Sequence, residues 1–321
     1  MYKPTFFISP LILNLSSQIQ EMVGELKTYS LVKPTVKLRK ESKIKTIHHS
    51  LSIEGNSLTL EQMTALMENK RVIGPKNQII EVTNAIQLYD ELSSFEPLKE
   101  KDLLRAHALL LKNLVKTPGK YRLRTVGIFK GAQVSHVAPS AKQVPNLMRD
   151  LFVFLNKDKE TPWFIKACVF HYELEFIHPF EDGNGRTGRL WQQLLLMKQS
   201  PLFEFISVET LIHKKQTQYY KVLEQCDLAG DSTKFIEFSL ELILSSLKEF
   251  RESYHPVKAK DTDRIAVALE HFGTQKFSRK DYILFHKTLS TATASRDLSS
   301  AVKEGLLKKN GDKNQATYRK K

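Results

Sequence analysis

Hydrophobic residues recur at helical spacing along most of the chain, which predicts a mainly α-helical protein. The first amphipathic helix is marked by Leu11, Leu13, Ile19, Met22, Val23 and Leu26. The same spacing returns over 81–92, 102–114, 145–155, 163–177, 188–198, 216–225 and 235–250. Thr59 followed three residues later by Gln62 has the form of a capping box, so another helix is expected to begin there.

Residues 119–139 depart from this helical pattern. Val126, Ile128 and Val134 alternate with other residues on either side of Gly131. Alternation around a central glycine is typical of a β-hairpin. We therefore expect one hairpin within an otherwise helical core.

The last 65 residues predict a small domain of their own. Helical spacing over 263–271, 278–285 and 293–304 is followed by two short apolar runs that flank the polar turn Asn310-Gly311-Asp312. A helix–turn–helix followed by a two-stranded wing is a winged-helix pattern. With a linker at Tyr254–Pro256, the predicted domains are an N-terminal helical region 1–100, a core 101–254 and a winged helix 255–321.

Charge separates this C-terminal part from the rest. The 321-residue chain has a formal net charge of +14, and residues 255–321 carry +8 of it, with 15 Lys/Arg and 7 Asp/Glu. Such an excess favours anionic partners, and DNA is one candidate for residues 255–321. Arg296 is the only arginine on the polar face of the helix predicted over 293–304. One arginine offers little for base reading, so protein binding is an equal alternative.

Composition also indicates the cellular compartment of the protein. Two cysteines, Cys168 and Cys226, cannot form a disulfide framework, and no CxxC pair suggests structural zinc. The longest apolar runs are far too short to cross a bilayer, and no secretory signal is evident. We expect a cytoplasmic protein with no membrane partner.

The segment HPFEDGNGRTGR, residues 178–189, places a histidine beside a loop suited to anions. Pro179 ends the preceding helix because proline lacks the N–H that would continue it, which leaves His178 at a helix end. Gly183-Asn184-Gly185 can adopt positive φ and turn successive N–H groups toward one point. A helix that starts just afterwards adds its free N–H groups and its dipole.

Charged side chains in this segment fit a polyphosphate. Arg186 and Arg189 are three residues apart and share one helix face, where two guanidinium groups can clamp phosphates. Asp182 offers a hard oxygen for Mg²⁺, and His178 can accept a proton from a hydroxyl near neutral pH. Each part alone is more often structural. Their concurrence within twelve residues predicts a nucleotide-phosphate site beside a general base.

These twelve residues resemble the Fic family motif, HPFx(D/E)GNGRxxR, at every fixed position. The resemblance implies a mostly helical Fic fold with a β-hairpin flap, in which ATP and Mg²⁺ bind and AMP is transferred to a Ser, Thr or Tyr hydroxyl of a target protein, the chain itself included. It assigns His178 as the general base, Phe180 as the loop anchor and Asp182 as the Mg²⁺ ligand. It assigns to ATP the residues Gly183, Asn184, Gly185, Arg186, Thr187, Gly188 and Arg189, with the two arginines on the β- and γ-phosphates.

Two further segments resemble family features. Tyr219-Tyr220 is similar to a pair near the adenine and ribose, although helix-core packing is an equal alternative for one of them. Ser50–Asn56 resembles the inhibitory motif (S/T)xxxE(G/N), which implies that Glu54 pairs with Arg189 and restrains transfer, in cis or across a homodimer. In some relatives the same glutamate orients water for AMP removal.

Other functions stay open on the sequence alone. The core could use another phosphate-containing donor, or catalyse de-AMPylation. A non-enzymatic alternative is a DNA-binding transcription regulator whose core only senses nucleotide. A hydrolase with metal-bound water is weaker, because no His/Glu ligand cluster accompanies Asp182.

Overall fold

A computed structural model of the chain describes residues 3–29, 36–124, 127–130, 133–253, 261–286, 289–311 and 316–320. The chain divides into two compact units, which we describe separately. The first comprises Met1–Glu25 with Thr35–Glu252, and the second comprises Leu26–Pro34 with Ser253–Lys321. The linker expected at Tyr254–Pro256 lies outside the described residues, and the three-domain division of the chain stays a prediction.

The first unit is built almost entirely of helices. Up to the hairpin these are α1 (Pro10–Tyr29, which runs on into the second unit), α2 (Val36–Ile53), α3 (Leu60–Met67), α4 (Lys76–Asp90) and α5 (Glu100–Leu110). The hairpin strands are β1 (Gly127–Lys130) and β2 (Gln133–Val137). After them come α6 (Val144–Lys157), α7 (Trp163–Ile177), α8 (Asn184–Gln199), α9 (Val208–Lys214), α10 (Gln216–Ala229) and α11 (Thr233–Ser253).

The helical class and the hairpin predicted from spacing are confirmed. The capping box is also present, because the Thr59 side chain accepts from the Gln62 N–H while the Gln62 side chain accepts from the Thr59 N–H. Helix α2 was missed, because lysines interrupt its apolar positions. Ile44, Ile47 and Leu51 nevertheless share one buried face at helical spacing.

Helices α7 and α8 form the centre of this unit and carry the motif between them. Nearly every residue of α7 from Phe164 to Leu174 is buried, as expected of a helix that is enclosed on all sides. In α8 the Trp191 ring is fully buried, and its indole N–H donates to Pro97 O at 3.0 Å. The loop between the two helices is therefore held at both ends by core packing.

The second unit has the element order α12 (Asp261–Phe272), β3 (Phe277–Ser278), α13 (Arg279–His286), α14 (Thr291–Lys303), β4 (Leu307–Asn310) and β5 (Thr317–Lys320). Its strands form an antiparallel sheet in the order β3-β5-β4, with Lys308 opposite Arg319. The three helices and the two later strands match the predicted order. Strand β3 was not predicted, and winged-helix function stays a prediction. None of the helices within the described ranges is long and apolar enough to span a membrane.

Candidate active site

His178 occupies the turn that ends α7. Its backbone is left-handed, with φ of 49°, and its N–H donates to Leu174 O at 3.0 Å. A left-handed conformation is uncommon for residues other than glycine and clusters at functional sites. The imidazole Nδ1 lies 3.4 Å from Glu175 O, a main-chain acceptor. A proton on Nδ1 therefore leaves Nε2 as the nitrogen able to accept one.

Phe180 anchors the loop, as the motif implied. Its side chain is fully buried and stacks on the His107 ring, with 3.7 Å between ring centroids. His107 Nδ1 accepts from the Gly119 N–H at 2.8 Å, so Nε2–H donates to Asp182 O at 2.9 Å. Burial lowers the pKa of His107 to about 4, which keeps the ring neutral for these two roles.

Asn184 closes the same loop with its side chain. Its Oδ1 accepts from the Phe180 N–H at 2.9 Å, and its Nδ2 donates to Phe180 O at 3.0 Å. The asparagine amide is therefore turned toward the loop. Any contribution of Asn184 to an anion site comes from its main chain.

The start of α8 corrects the expectation of a three-residue loop with positive φ. Gly183 alone has positive φ, at 84°, and α8 begins at Asn184, so Asn184 and Gly185 are helical. A Cβ on Gly183 would lie 2.6 Å from Leu111 Cδ2, and one on Gly185 would lie 2.5 Å from Glu54 Oε1. The N–H groups of the first helical turn, rather than a separate nest, are the feature of this loop that suits an anion.

Thr187 and Gly188 face the protein interior. Thr187 Oγ1 donates to Gly183 O at 2.7 Å, and its side chain is fully buried. A Cβ on Gly188 would lie 2.9 Å from His171 Cδ2, so this glycine permits close approach of α7 and α8. Both residues have packing roles here, and a contact with nucleotide stays a prediction.

Arg189 pairs with Glu54, the glutamate of the segment that resembles the inhibitory motif. Its Nη2 lies 2.6 Å from Glu54 Oε1 and 3.0 Å from Ser50 O. The arginine side chain is 1% exposed and the glutamate side chain 31% exposed. Burial acts to lower the pKa of Arg189, but the negative charge of Glu54, supported by Tyr219 and Glu175, raises it above its usual value. The guanidinium of Arg189 is thus charged and is bonded to Glu54 and Ser50.

Arg186 is engaged by two other carboxylates. Its Nη1 lies 2.9 Å from Glu81 Oε1, and its Nη2 lies 2.8 Å from Asp182 Oδ1. Glu81 Oε2 also accepts from Asn56 Nδ2 at 2.8 Å. Glu81 therefore links Arg186 to Asn56, which lies two residues after Glu54. Nothing in the sequence marks Glu81 as a site residue, because it stands at the start of a predicted amphipathic helix with no motif around it.

The two tyrosines separate into one buried and one exposed residue. Tyr219 is 1% exposed, and its hydroxyl lies 3.0 Å from His171 Nε2 and 3.1 Å from Glu175 Oε1. Tyr220 is 42% exposed, and its hydroxyl lies 3.4 Å from Ile53 O. The core-packing alternative thus describes Tyr219. Burial raises the pKa of Glu175 to about 7, with Arg189 opposing that rise.

The fold therefore brings His178, the first turn of α8, both motif arginines and Glu54 into one site. Residues without a predicted role also belong to it. They are Glu81, His107, Arg122, Glu175 and the hydrogen-bonding Ser50. Arginines and acids that contact one another are a signal in the structure, whereas in the sequence each reads as an ordinary polar position.

Comparisons with known proteins agree with this site. Residues 97–196 match the Fic/DOC family. A crystal structure of a Fic family protein from Desulfovibrio desulfuricans G20 is 38% identical, with a TM-score of 0.76, and the alignment covers 100% of this chain and 98% of that one. A helical fold with the HPFEDGNGRTGR loop between two core helices is thus a Fic fold. The chain belongs to the Fic family.

Curated relatives of greater length are also similar. Protein adenylyltransferase Fic from Drosophila grimshawi is 32% identical over 213 residues, which are 62% of this chain and 41% of that protein. Protein adenylyltransferase fic-1 from Caenorhabditis elegans is 28% identical over 224 residues, 67% of this chain and 42% of that protein. The chain spans about two fifths of the length of these relatives.

Proposed function

We propose that this protein transfers AMP from ATP to a Ser, Thr or Tyr hydroxyl of a protein, its own chain being one candidate. The observation that supports this most is that the turn carrying His178 leads into the N-terminus of α8, whose first two turns carry Arg186 and Arg189. The names of the curated relatives, protein adenylyltransferases, agree with it.

The first turn of α8 and the two arginines would bind the triphosphate. The N–H groups at a helix N-terminus and the dipole both favour negative charge. Guanidinium groups bind phosphate oxygens through paired hydrogen bonds. Arg186 and Arg189 would release Glu81 and Glu54 as they take up the β- and γ-phosphates.

Asp182 would hold Mg²⁺ against the phosphates. Its carboxylate is more than half exposed, and one oxygen, Oδ1, accepts from Arg186 and from the Gly183 N–H. Within the described residues no cluster of three or more His, Cys, Asp or Glu could hold a metal alone. One protein carboxylate completed by phosphate oxygens and water is a usual way to bind Mg²⁺, so the residues fit the ion. When bound, the ion would neutralise charge on the leaving phosphates.

His178 would accept the proton of the target hydroxyl at Nε2. The hydroxyl oxygen then forms a bond to the α-phosphorus, the bond from that phosphorus to the bridging oxygen breaks, and pyrophosphate leaves with the electron pair. Transfer of this kind depends mainly on positioning and on charge stabilisation. The β1–β2 hairpin is proposed to align the target segment by strand addition.

Glu54 is proposed to restrain this reaction in cis, because it and Arg189 belong to one chain. While the carboxylate is bound there, the guanidinium is unavailable to a γ-phosphate and the site repels it. A homodimer is a further proposal that this contact does not require.

Mass spectrometry after incubation with Mg²⁺ and ATP tests the proposal. We expect Glu54→Gly to gain the mass of one AMP on itself or on proteins of an added lysate, and the wild type to gain less. The matched control Glu54→Gly/His178→Ala should gain none. An adduct of another mass would point to another donor, and absence of any adduct in all samples would refute AMP transfer.

A second candidate function, DNA binding by residues 255–321, is favoured by the charge on one face of the second unit. Lys309 and Lys320 are exposed on the opposite face of β4 and β5, whereas Lys308 and Arg319 are cross-strand partners that form an exposed basic strip on one face. Such a strip suits phosphate contacts. Fluorescence anisotropy with a labelled duplex should show salt-dependent binding that Lys308→Glu/Arg319→Glu removes. Binding that the double variant retains would exclude this strip.

A further inference from the structure

Arg122 is a buried arginine that contacts the main chain on both sides of the catalytic turn. It is 2% exposed. Its Nε donates to His178 O at 2.7 Å, and its Nη2 donates to Ile177 O at 3.3 Å. Its own N–H donates to Pro179 O at 2.9 Å. The residue that carries the proposed base and both of its neighbours are thus bonded to one residue, two of them through its side chain and Pro179 through its main chain.

The same guanidinium also reaches the hairpin. Nη1 donates to Arg124 O at 2.8 Å, and Nη2 donates to Pro139 O at 2.6 Å. Arg124 precedes β1 and Pro139 follows β2, so the two acceptors lie at the two ends of the hairpin. One planar group therefore connects both ends of the hairpin to the turn at His178.

The chemistry of these contacts suits positioning rather than ion pairing. All four acceptors are main-chain carbonyl oxygens, and two of them belong to the C-terminal end of α7. Carbonyls at a helix C-terminus lack intrahelical donors and carry partial negative charge, which a cation stabilises. The rigid fork of arginine can bond several separate acceptors at once, whereas lysine offers three donors on one atom.

These contacts also oppose the strain of the turn. His178 has left-handed φ without being glycine, and such a residue persists only where its surroundings hold it. Arg122 binds its carbonyl directly. Loss of that bond would let the backbone relax and move the imidazole with it.

We propose that Arg122 is a positioning residue that sets the backbone of His178 and keeps the hairpin aligned with it. For its catalytic consequence, this inference rests on the proposed AMP transfer. The triphosphate contacts come from α8, to which Arg122 donates none of the bonds described above. Removing Arg122 should therefore reduce the rate of transfer and leave ATP affinity nearly unchanged.

Measurements of steady-state rate and of ATP binding in a Glu54→Gly background distinguish an effect on transfer from an effect on ATP affinity. We expect Arg122→Met to lower kcat by about 100-fold, as a displacement near 1 Å does in other active sites, and to change the ATP dissociation constant less than twofold. Arg122→Lys should recover part of the rate. The control is Arg105→Met, because Arg105 also donates to a main-chain carbonyl, Ser94 O, away from the site. It should keep both constants.

A rate within twofold of the parent would overturn the proposal, and so would equal losses in rate and ATP affinity. Loss of folding in both Arg122 variants would also overturn it, since the role would then be structural. Amide hydrogen exchange supplies a readout independent of transfer. Arg122→Met should accelerate exchange at 176–180 and 133–138 but not in α8. If the Glu54→Gly parent transfers no AMP, the proposed function fails, while unchanged exchange would refute the positioning role by itself.

Discussion

Substitution of Glu54 by glutamine tests the restraint on nucleotide binding most directly. Glutamine keeps the size of the side chain and removes the charge that faces Arg189. The structure gives the two side chains a separation of 2.6 Å between Glu54 Oε1 and Arg189 Nη2. A γ-phosphate that binds Arg189 has to displace this carboxylate, so removing its charge should tighten ATP binding.

The magnitude follows from distance and exposure. Two unit charges about 4 Å apart interact by about 4 kcal/mol at an effective dielectric constant of about 20. Because the Glu54 side chain is 31% exposed, solvent screening reduces this, and we take about 2 kcal/mol. That value corresponds to about 30-fold tighter ATP binding. The free energy of unfolding should fall by about 2 kcal/mol, since Arg189 then loses the negative charge of Glu54 and keeps neutral hydrogen-bond partners such as Ser50.

Isothermal titration calorimetry with ATP and AMP, in a His178→Ala background that prevents turnover, measures the affinity. ATP should gain about 30-fold, while AMP, which has no γ-phosphate, should gain little. A matched control is Glu204→Gln, because Glu204 pairs with Arg39 on the surface and its side chain is 34% exposed. Equal gains for ATP and AMP, or a gain in the control, would show that Glu54 does not compete with the γ-phosphate.

Three other substitutions test the roles of two site residues and of one buried residue separately. His178→Ala should abolish AMP transfer by mass spectrometry and keep the ATP dissociation constant within twofold, and transfer that persists would remove His178 from the base role. Glu81→Gln should tighten binding of both ATP and ADP by about tenfold, because Arg186 loses a competing carboxylate, and calorimetry showing no change would contradict this. Burial raises the pKa of Glu209 from 4.5 to about 7, so the folded state binds its proton more tightly than the unfolded state, and this group's contribution to stability falls as pH rises from about 4.5 to 7. In urea unfolding, the free energy of unfolding of the wild type should fall by up to about 3 kcal/mol between pH 5 and pH 8, and Glu209→Gln should not show this fall. An equal fall in both proteins would refute the assignment.

The HPFEDGNGRTGR loop was predictable because neighbouring residues determine its shape. Proline at 179 ends α7, and a helix that begins soon afterwards presents its N–H groups to the same point, both consequences of neighbouring residues. The pairing of Glu54 with Arg189 was anticipated from the motif alone. Its occurrence within one chain required the structure.

Where the loop prediction was wrong, the reason is also local. Two glycines around Asn184 suggested a longer irregular turn, yet one positive φ at Gly183 is enough to reverse the chain and begin α8. Gly185 is needed for a different reason, which is the close approach of the Glu54 carboxylate. Sequence spacing cannot distinguish a glycine required by φ from one required by a neighbour.

The supporting residues were not predictable, because their roles depend on contacts far along the chain. Glu81 meets Arg186 across 105 residues, and Arg122 meets His178 across 56. Each is a charged residue with no motif around it, of the kind that a sequence alone assigns to a solvated surface. Only their contacts in the structure show that they belong to the site. Strand β3 was missed for another reason, since two residues carry no detectable alternation.

The pairs that the two motif arginines form with glutamates link the proposed restraint on transfer to the stability of the site. Both motif arginines are nearly buried, and each already has a carboxylate partner, Glu54 for Arg189 and Glu81 for Arg186. An unpaired guanidinium at such a position would strongly destabilise the fold, so these acids stabilise the site before any phosphate arrives. Both acids lie outside residues 97–196, the range that matches the family, whereas the arginines lie inside it. The phosphates of a bound nucleotide would replace the negative charge that the two glutamates supply. ATP should therefore raise the melting temperature of Glu54→Gln more than that of the wild type, because binding restores a partner that the variant lacks.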